Sequence, residues 1–228
     1  MQSADLVKTA LHGGEPARPP YIPVLGSIVA HLGQLPGPLY DSDPQRQARA
    51  LVETATALHA DAVTVGLGAP GDTGLEVLRR VRPLLGGRAA AGVVCSVDIA
   101  LARAFCESEV DVLIVAPDEA AEPARLRSLG NACRFYRVPV VYLPPDPTEP
   151  AEVVSTIEAA GLAGAILSEP EGVESGVVGG GLNKHHLGDQ SLPAPVRRHG
   201  FFWSFAGEVP TEHPAEALAG LGQRLQAT

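Results

Sequence analysis

Two adjacent imidazoles, His185 and His186, lie in the polar stretch N-K-H-H-L-G-D of this 228-residue chain. With His31 and Glu208 they supply the side chains best suited to proton transfer near neutral pH or to holding a divalent cation. Consecutive side chains point apart, so one of the pair, taken as His185, is expected to join His31 and Glu208 as catalytic or metal-ligating groups. The other reading of the pair is a solvated loop, and that of Glu208 is a helix-start carboxylate. Tyr142 ends an apolar run, and its hydroxyl is expected to enter the same site; a packed aromatic whose hydroxyl reaches the rim is the alternative. Ser27, Ser96, Asp118, Glu169, Asn183, Lys184 and Ser204 are the candidate substrate contacts. Lys184 could form a Schiff base if buried, or be a solvated loop lysine. Asp118-Glu119 and Glu169-Pro170-Glu171 could also be paired acids for proton transfer, although carboxylates at loop starts are more often caps or solvated rim charges. The run Gly179-Gly180-Gly181 offers backbone amides to a phosphate, or simply permits a tight turn or close packing.

These residues are spread from position 27 to position 208, so only a fold that gathers distant loops can unite them. From Tyr21 onward the chain repeats a short apolar run, a turn rich in Gly, Pro or acidic residues, and usually an amphipathic helix. Expected strands span 21–26, 62–66, 90–95, 111–116, 138–143, 163–168, 177–182 and 201–205. Most are continuously apolar, as parallel strands covered on both faces are. Asp43-Pro44 supplies an N-cap and a first-turn proline, Thr73 and Glu76 a capping box, and Gly161 a helix stop. The unit at 171–176 is too short for a full helix. The expected fold is therefore α/β, a single-domain (β/α)8 TIM barrel over residues 1–228 with a short N-terminal helix before strand one. A doubly wound open sheet is the alternative. In the barrel, chemistry belongs to the loops at the C-terminal ends of the strands, where strands one, seven and eight are neighbours.

Composition narrows the partners. The net charge is −9, and all but two of the 17 basic residues are Arg, without a basic stripe for nucleic acid or an anionic membrane. No apolar run reaches the ~20 residues of a bilayer span, and the N-terminus lacks the pattern of a signal peptide, so a cytoplasmic location is expected. Cys95, Cys106 and Cys133 have no close-spaced pair and read as reduced core thiols.

Several patches resemble the uroporphyrinogen decarboxylase superfamily. LVKTALHGGEPARPPYIPVLGS is similar to the helix and G-E-P-x-x-R-P-P type turn that lead into its first barrel strand. DSDPQRQARALVETATALHADAVTVG and GNACRFYRVPVVYLP are similar to later units. FFWSFAGEVPTEHPAEALAGLGQRL resembles the closing strand and helix of the corrinoid-dependent methyltransferase branch, G-C-E-(I/V)-P-P-x-T-P-x-E-N-L. The departures matter too. The Arg-rich loop after strand one of uroporphyrinogen decarboxylases is replaced by GSIVAHLGQ, and Gly68 stands where an Asp would follow strand two. The zinc ligands of the methyltransferase branch, His-x-Cys and a later Cys, correspond to Tyr142, Pro144 and Ala206, so that zinc site is absent.

The resemblance implies a small-molecule enzyme with a rebuilt site at the barrel mouth, either a decarboxylase/lyase or a one-carbon (methyl) transferase. It permits a corrinoid protein as partner and a homodimer as assembly. A divalent metal on His31, His185 and Glu208 is the cofactor these residues would accept. Two other readings stay open: a non-catalytic barrel that binds a corrinoid, a tetrapyrrole or a partner protein, and a phosphate-binding sugar or amino-acid enzyme resting on the glycine run and Lys184.

Overall fold

The computed structural model describes residues 3–24, 43–66, 71–119, 121–145, 149–167, 170, 173, 176–182, 186, 192, 194–195, 199–205 and 214–227. Helix α1 (Ser3–Leu11) precedes α2 (Pro44–Ala57), and from there strands and helices alternate as far as residue 167. In order they are β1 (Ala62–Val65), α3 (Gly71–Leu85), β2 (Ala90–Cys95), α4 (Ile99–Glu107), β3 (Val112–Val115), α5 (Pro123–Arg134), β4 (Val140–Tyr142) and α6 (Pro150–Ala160). Then come β5 (Gly164–Leu167), β6 (Val177–Leu182), β7 (Phe201–Phe205) and α7 (Pro214–Gln226). The seven strands form one all-parallel sheet in the order β1 to β7, each paired with its successor in sequence. A doubly wound sheet would reverse direction at a switch point, and this order has none.

The expected strand at 21–26 is reduced to a single parallel bridge, Tyr21 to Trp203. Its sequence explains why: Pro20 and Pro23 have no N–H to give a ladder, leaving only the amides of Tyr21 and Ile22 between them. Ile22 N–H donates to Trp203 O, and Trp203 N–H to Pro20 O, both at 2.8 Å. On its other side, Tyr21 O accepts from Asp61 N–H at 2.9 Å, just before β1. Residues 25 and 26 lie outside the described residues.

Because both faces of the sheet are covered, its strands alternate between two apolar environments. Ala62, Ala90, Val94, Val112, Ile114, Val141, Ile166, Val177 and Phe202 share an inner cluster with Ile22 and with Val7 and Leu11 of α1. The intervening residues, such as Val63, Val93, Leu113, Val115 and Val178, pack outward against α2 to α6. A third cluster joins Tyr21, Phe201 and Trp203 to Leu218, Leu221 and Leu225 of α7. Helix α1 thus closes the basal end, where the strands begin.

Two strand-leading carboxylates bind that base together. Asp61 is fully buried and accepts both guanidinium N–H groups of Arg18 at 2.8 Å, together with the Tyr21 amide. Arg18 also donates to Gln226 Oε1 at 2.6 Å, and Gln226 donates to His59 O. Asp111 repeats the device one layer on, accepting from Ala91 N–H and from Arg82, with Lys8 of α1 at 3.5 Å.

Local signals act as their chemistry dictates. Asp43 caps α2 by accepting from the amides of Gln45 and Arg46, with Pro44 in the first turn. Gly161 ends α6 at φ 63°, the left-handed conformation a glycine tolerates. Thr73 does not cap α3: the helix already begins at Gly71, which puts Thr73 inside its first turn. The glycine run also differs from the phosphate-loop expectation, because Gly179, Gly180 and Gly181 lie within β6. A Cβ on Gly179 would sit 2.1 Å from the Phe202 ring, so the missing side chain is what lets that ring fill the interior.

Candidate functional site

Ser204 lies on β7, two residues beyond Phe202, and alternation along the strand turns both toward the interior while Phe201 and Trp203 face α7. It pairs in register with Gly181 of β6. Its side chain is fully buried, and its Oγ has no hydrogen-bond partner. A second interior hydroxyl, Thr64 Oγ1, is satisfied by Pro23 O at 2.8 Å. The apolar groups nearest the same C-terminal strand ends include Val24, Val94, Ala116, Leu143 and Ile166. Ser204 therefore offers one donor and two acceptor lone pairs to an apolar interior. An orphaned buried hydroxyl costs about 1–3 kcal/mol, so a group that completes it is strongly favoured. Tyr21 Oη and Trp203 Nε1 also lack partners, but both belong to the layer beneath α7.

Tyr142 does not join Ser204. Its ring is buried in the sheet–helix layer with Phe105, Leu126 and Cys133, because β4 turns Val141 inward and its two neighbours outward. Burial raises the Tyr142 phenol, and the backbone of Ala121 opposes that rise. The expectation that its hydroxyl enters the interior is thus corrected: continuous apolar strands carry no period-two signal to tell the faces apart.

Ser96 and Asp118 follow β2 and β3 and are exposed. The Ser96 carbonyl accepts from the Asp98 amide at 2.9 Å, and Asp98 caps α4 through Leu101 N–H. His31, His185, Glu208, Ser27, Glu169, Asn183 and Lys184 lie outside the described residues. His186 is described: its carbonyl accepts from Arg224 on the last turn of α7, so the chain at this point lies against the outer helix layer. Thr64 was not anticipated as an interior group. The signal was available, a hydroxyl two residues after Ala62 in an otherwise apolar strand. The Arg18–Asp61 pair was not anticipated either, although its two residues fall in separate patches of the family resemblance.

Thiolate zinc chemistry does not fit these residues. Cys95, Cys106 and Cys133 are buried together in the sheet–helix layer, on the far side of the strands from Ser204. Burial, then the neighbouring Cys133 and Asp98, push the Cys95 thiol up to about 12. A hydrogen bond to Cys133 and burial likewise hold the proton on Cys106. Among the described residues, no three His, Cys, Asp or Glu side chains converge as a metal site. Among the same residues, no helix is long and apolar enough to cross a membrane.

No protein-family model and no curated protein matches the sequence. Solved structures do. A methyltransferase from Methanosarcina mazei is similar with a TM-score of 0.72 and 12% identity, over 100% of this chain and 99% of that one. A 3-keto-L-gulonate-6-phosphate decarboxylase from Vibrio cholerae O1 biovar El Tor gives a TM-score of 0.57 at 13% identity, over 92% and 98% of the two chains. A 3-hexulose-6-phosphate synthase gives 0.57 at 16% identity, over 79% and 93%. At such identities the likeness shows the fold alone, one of the TIM-barrel type.

Proposed function

We propose that this chain is a small-molecule enzyme whose sheet completes a (β/α)8 barrel through the Tyr21 segment, with its reaction site at the C-terminal strand ends. The reaction class we assign is decarboxylation or one-carbon transfer, within a diverged branch of the uroporphyrinogen decarboxylase-like superfamily. The observation that carries this reading is the buried, unpartnered Ser204 hydroxyl facing an apolar interior. The names of the structural relatives, a methyltransferase and a sugar-phosphate decarboxylase among them, support the class.

In this reading Ser204 hydrogen-bonds an oxygen of the bound substrate, and the apolar side chains around it keep water out. For decarboxylation, the substrate's carbon–carboxylate bond breaks, CO2 leaves, and the carbon that keeps the electron pair takes a proton. His31, His185 or Glu208 would deliver that proton, each being a group that changes charge within reach of neutral pH when its surroundings favour it. The same three residues would hold a divalent cation if one is bound, to polarise the substrate carboxylate or carbonyl.

The test is a thermal-shift screen of the wild type and Ser204→Ala against porphyrinogens, corrinoids, folates, small carboxylates and sugar phosphates. A ligand at about 100 times its Kd stabilises by about 2.7 kcal/mol, or about 5–10 °C for a chain of this length. Ser204→Ala should fold as stably as the wild type, since it removes an unsatisfied hydroxyl, yet lose most of the shift. Absence of a shift with every class, or an undiminished shift in Ser204→Ala, would refute the assignment. Stabilisation by sugar phosphates alone would favour the phosphate-binding reading. Binding of a corrinoid or tetrapyrrole without CO2 release or methyl transfer would favour a non-catalytic barrel. Metal analysis completes the test: a stoichiometric divalent ion should be lost in His31→Ala and in His185→Ala.

A further inference from the structure

We infer that the base of the molecule, opposite the strand ends discussed above, binds a small organic anion through a carboxylate or phosphate. A cleft of about 260 Å3 lies between the end of α1 and the segments that lead into β4 and β5. Its floor includes Leu11, Val138 and Leu162, and the charged or titratable side chains that line it are His12, Arg134 and Arg137. No carboxylate lines it, although acidic residues outnumber basic ones 26 to 17 in the chain.

Other basal cations are already engaged. Arg18 is held by Asp61, and Arg82 and Lys8 by Asp111. Arg127 donates to Ala159 O, and Arg134 gives one N–H to Gly161 O at 3.2 Å, offsetting the negative end of α6. Among the described residues, Arg137 and His12 have no such partner for their side chains. The Arg137 backbone is left-handed at φ 59°, with its amide bonded to Arg134 O at 3.0 Å. Guanidinium groups on an exposed rim above an apolar floor suit a ligand with an anionic end and a short apolar body. The volume falls below the roughly 300–1,000 Å3 of sites for drug-sized molecules, which sets the ligand's scale. This site is independent of the reaction proposed at the opposite end.

Calorimetric titration of the full chain with inorganic phosphate and with succinate, each against sodium chloride at equal ionic strength, tests it. Saturable binding of either probe with a Kd of about 1 mM or tighter is expected. Arg137→Gly should weaken it at least about tenfold without lowering the melting temperature, because glycine accepts the left-handed backbone without strain. Arg137→Asn, which also tolerates that conformation, serves as the second variant and should behave alike. The stronger probe assigns the carboxylate or the phosphate class. No saturable binding beyond the chloride control, or undiminished binding in both variants, overturns the inference.

Discussion

Asp61 shows how much one side chain can organise. Fully buried, it satisfies the Tyr21 amide and both N–H groups of Arg18, and through Arg18 it reaches Gln226. Replacing it by Ala leaves a half-buried guanidinium and a buried amide without their acceptor. Breaking a buried pair on one side costs about 3–5 kcal/mol. Asp61→Ala should therefore lower the melting temperature by about 10 °C in a circular-dichroism melt. In the sequence Asp61 is only an acidic residue before a strand. Its partners stand 40 and 43 positions away, and no local pattern announces a contact across that distance. Cys95 makes a different prediction. Its thiol is raised from an ordinary value of 9.0 to about 12 by burial, so folding favours the protonated form. The stabilisation is complete below about pH 9 and is lost as pH rises toward about 12, because the unfolded chain releases that proton first. Denaturant melts at pH 8 and pH 11 should show this alkaline loss, smaller in Cys95→Ala. At pH 8 the thiol should react with an aromatic disulfide reagent only after unfolding.

The alternation of strand and helix was legible because each unit carries its own punctuation, as at Asp43-Pro44 and Gly161. What the pattern could not tell was which face of a uniformly apolar strand looks inward. That is why Tyr142, expected in the site, lies in the sheet–helix layer instead, and why the face taken by Ser204, which is that of Phe202, could not be read from the strand. The glycine run of β6 was visible, but its partner, the Phe202 ring, arrives from the next strand in sequence. Adding a methyl at Gly179 forces that ring to move. Gly179→Ala should cost about 1–3 kcal/mol by chemical denaturation. Combining it with Phe202→Leu should recover part of the loss, as coupling between neighbours requires. At the first turn of α2, Asp43→Ala should cost about 1 kcal/mol, the worth of its cap.

Among the described residues, the order of the strands follows the order of the sequence, and the Tyr21 segment bridges to the last strand. Helix α1 then seals the base with Val7 and Leu11, each at most 2% exposed. A chain lacking residues 1–20 should bind a hydrophobic dye such as ANS and melt without cooperativity, because its interior cluster opens to water. Of the candidate site, Ser204 was legible as a hydroxyl near the end of the last strand, while most of the other candidates lie outside the described residues. The conformation of the loops that carry such residues is what hydrophobic periodicity does not encode.

The bridge from Tyr21 to Trp203 also bears on how the protein is made. Synthesis proceeds from the N-terminus, so the opening segment emerges long before the strand it must hydrogen-bond. Contacts of such separation are slow to form and leave apolar surface uncovered in the meantime. Residues 20–22 wait on β7, and a stalled ribosome would hold a chain with the Pro20 carbonyl and the Ile22 amide still unmatched.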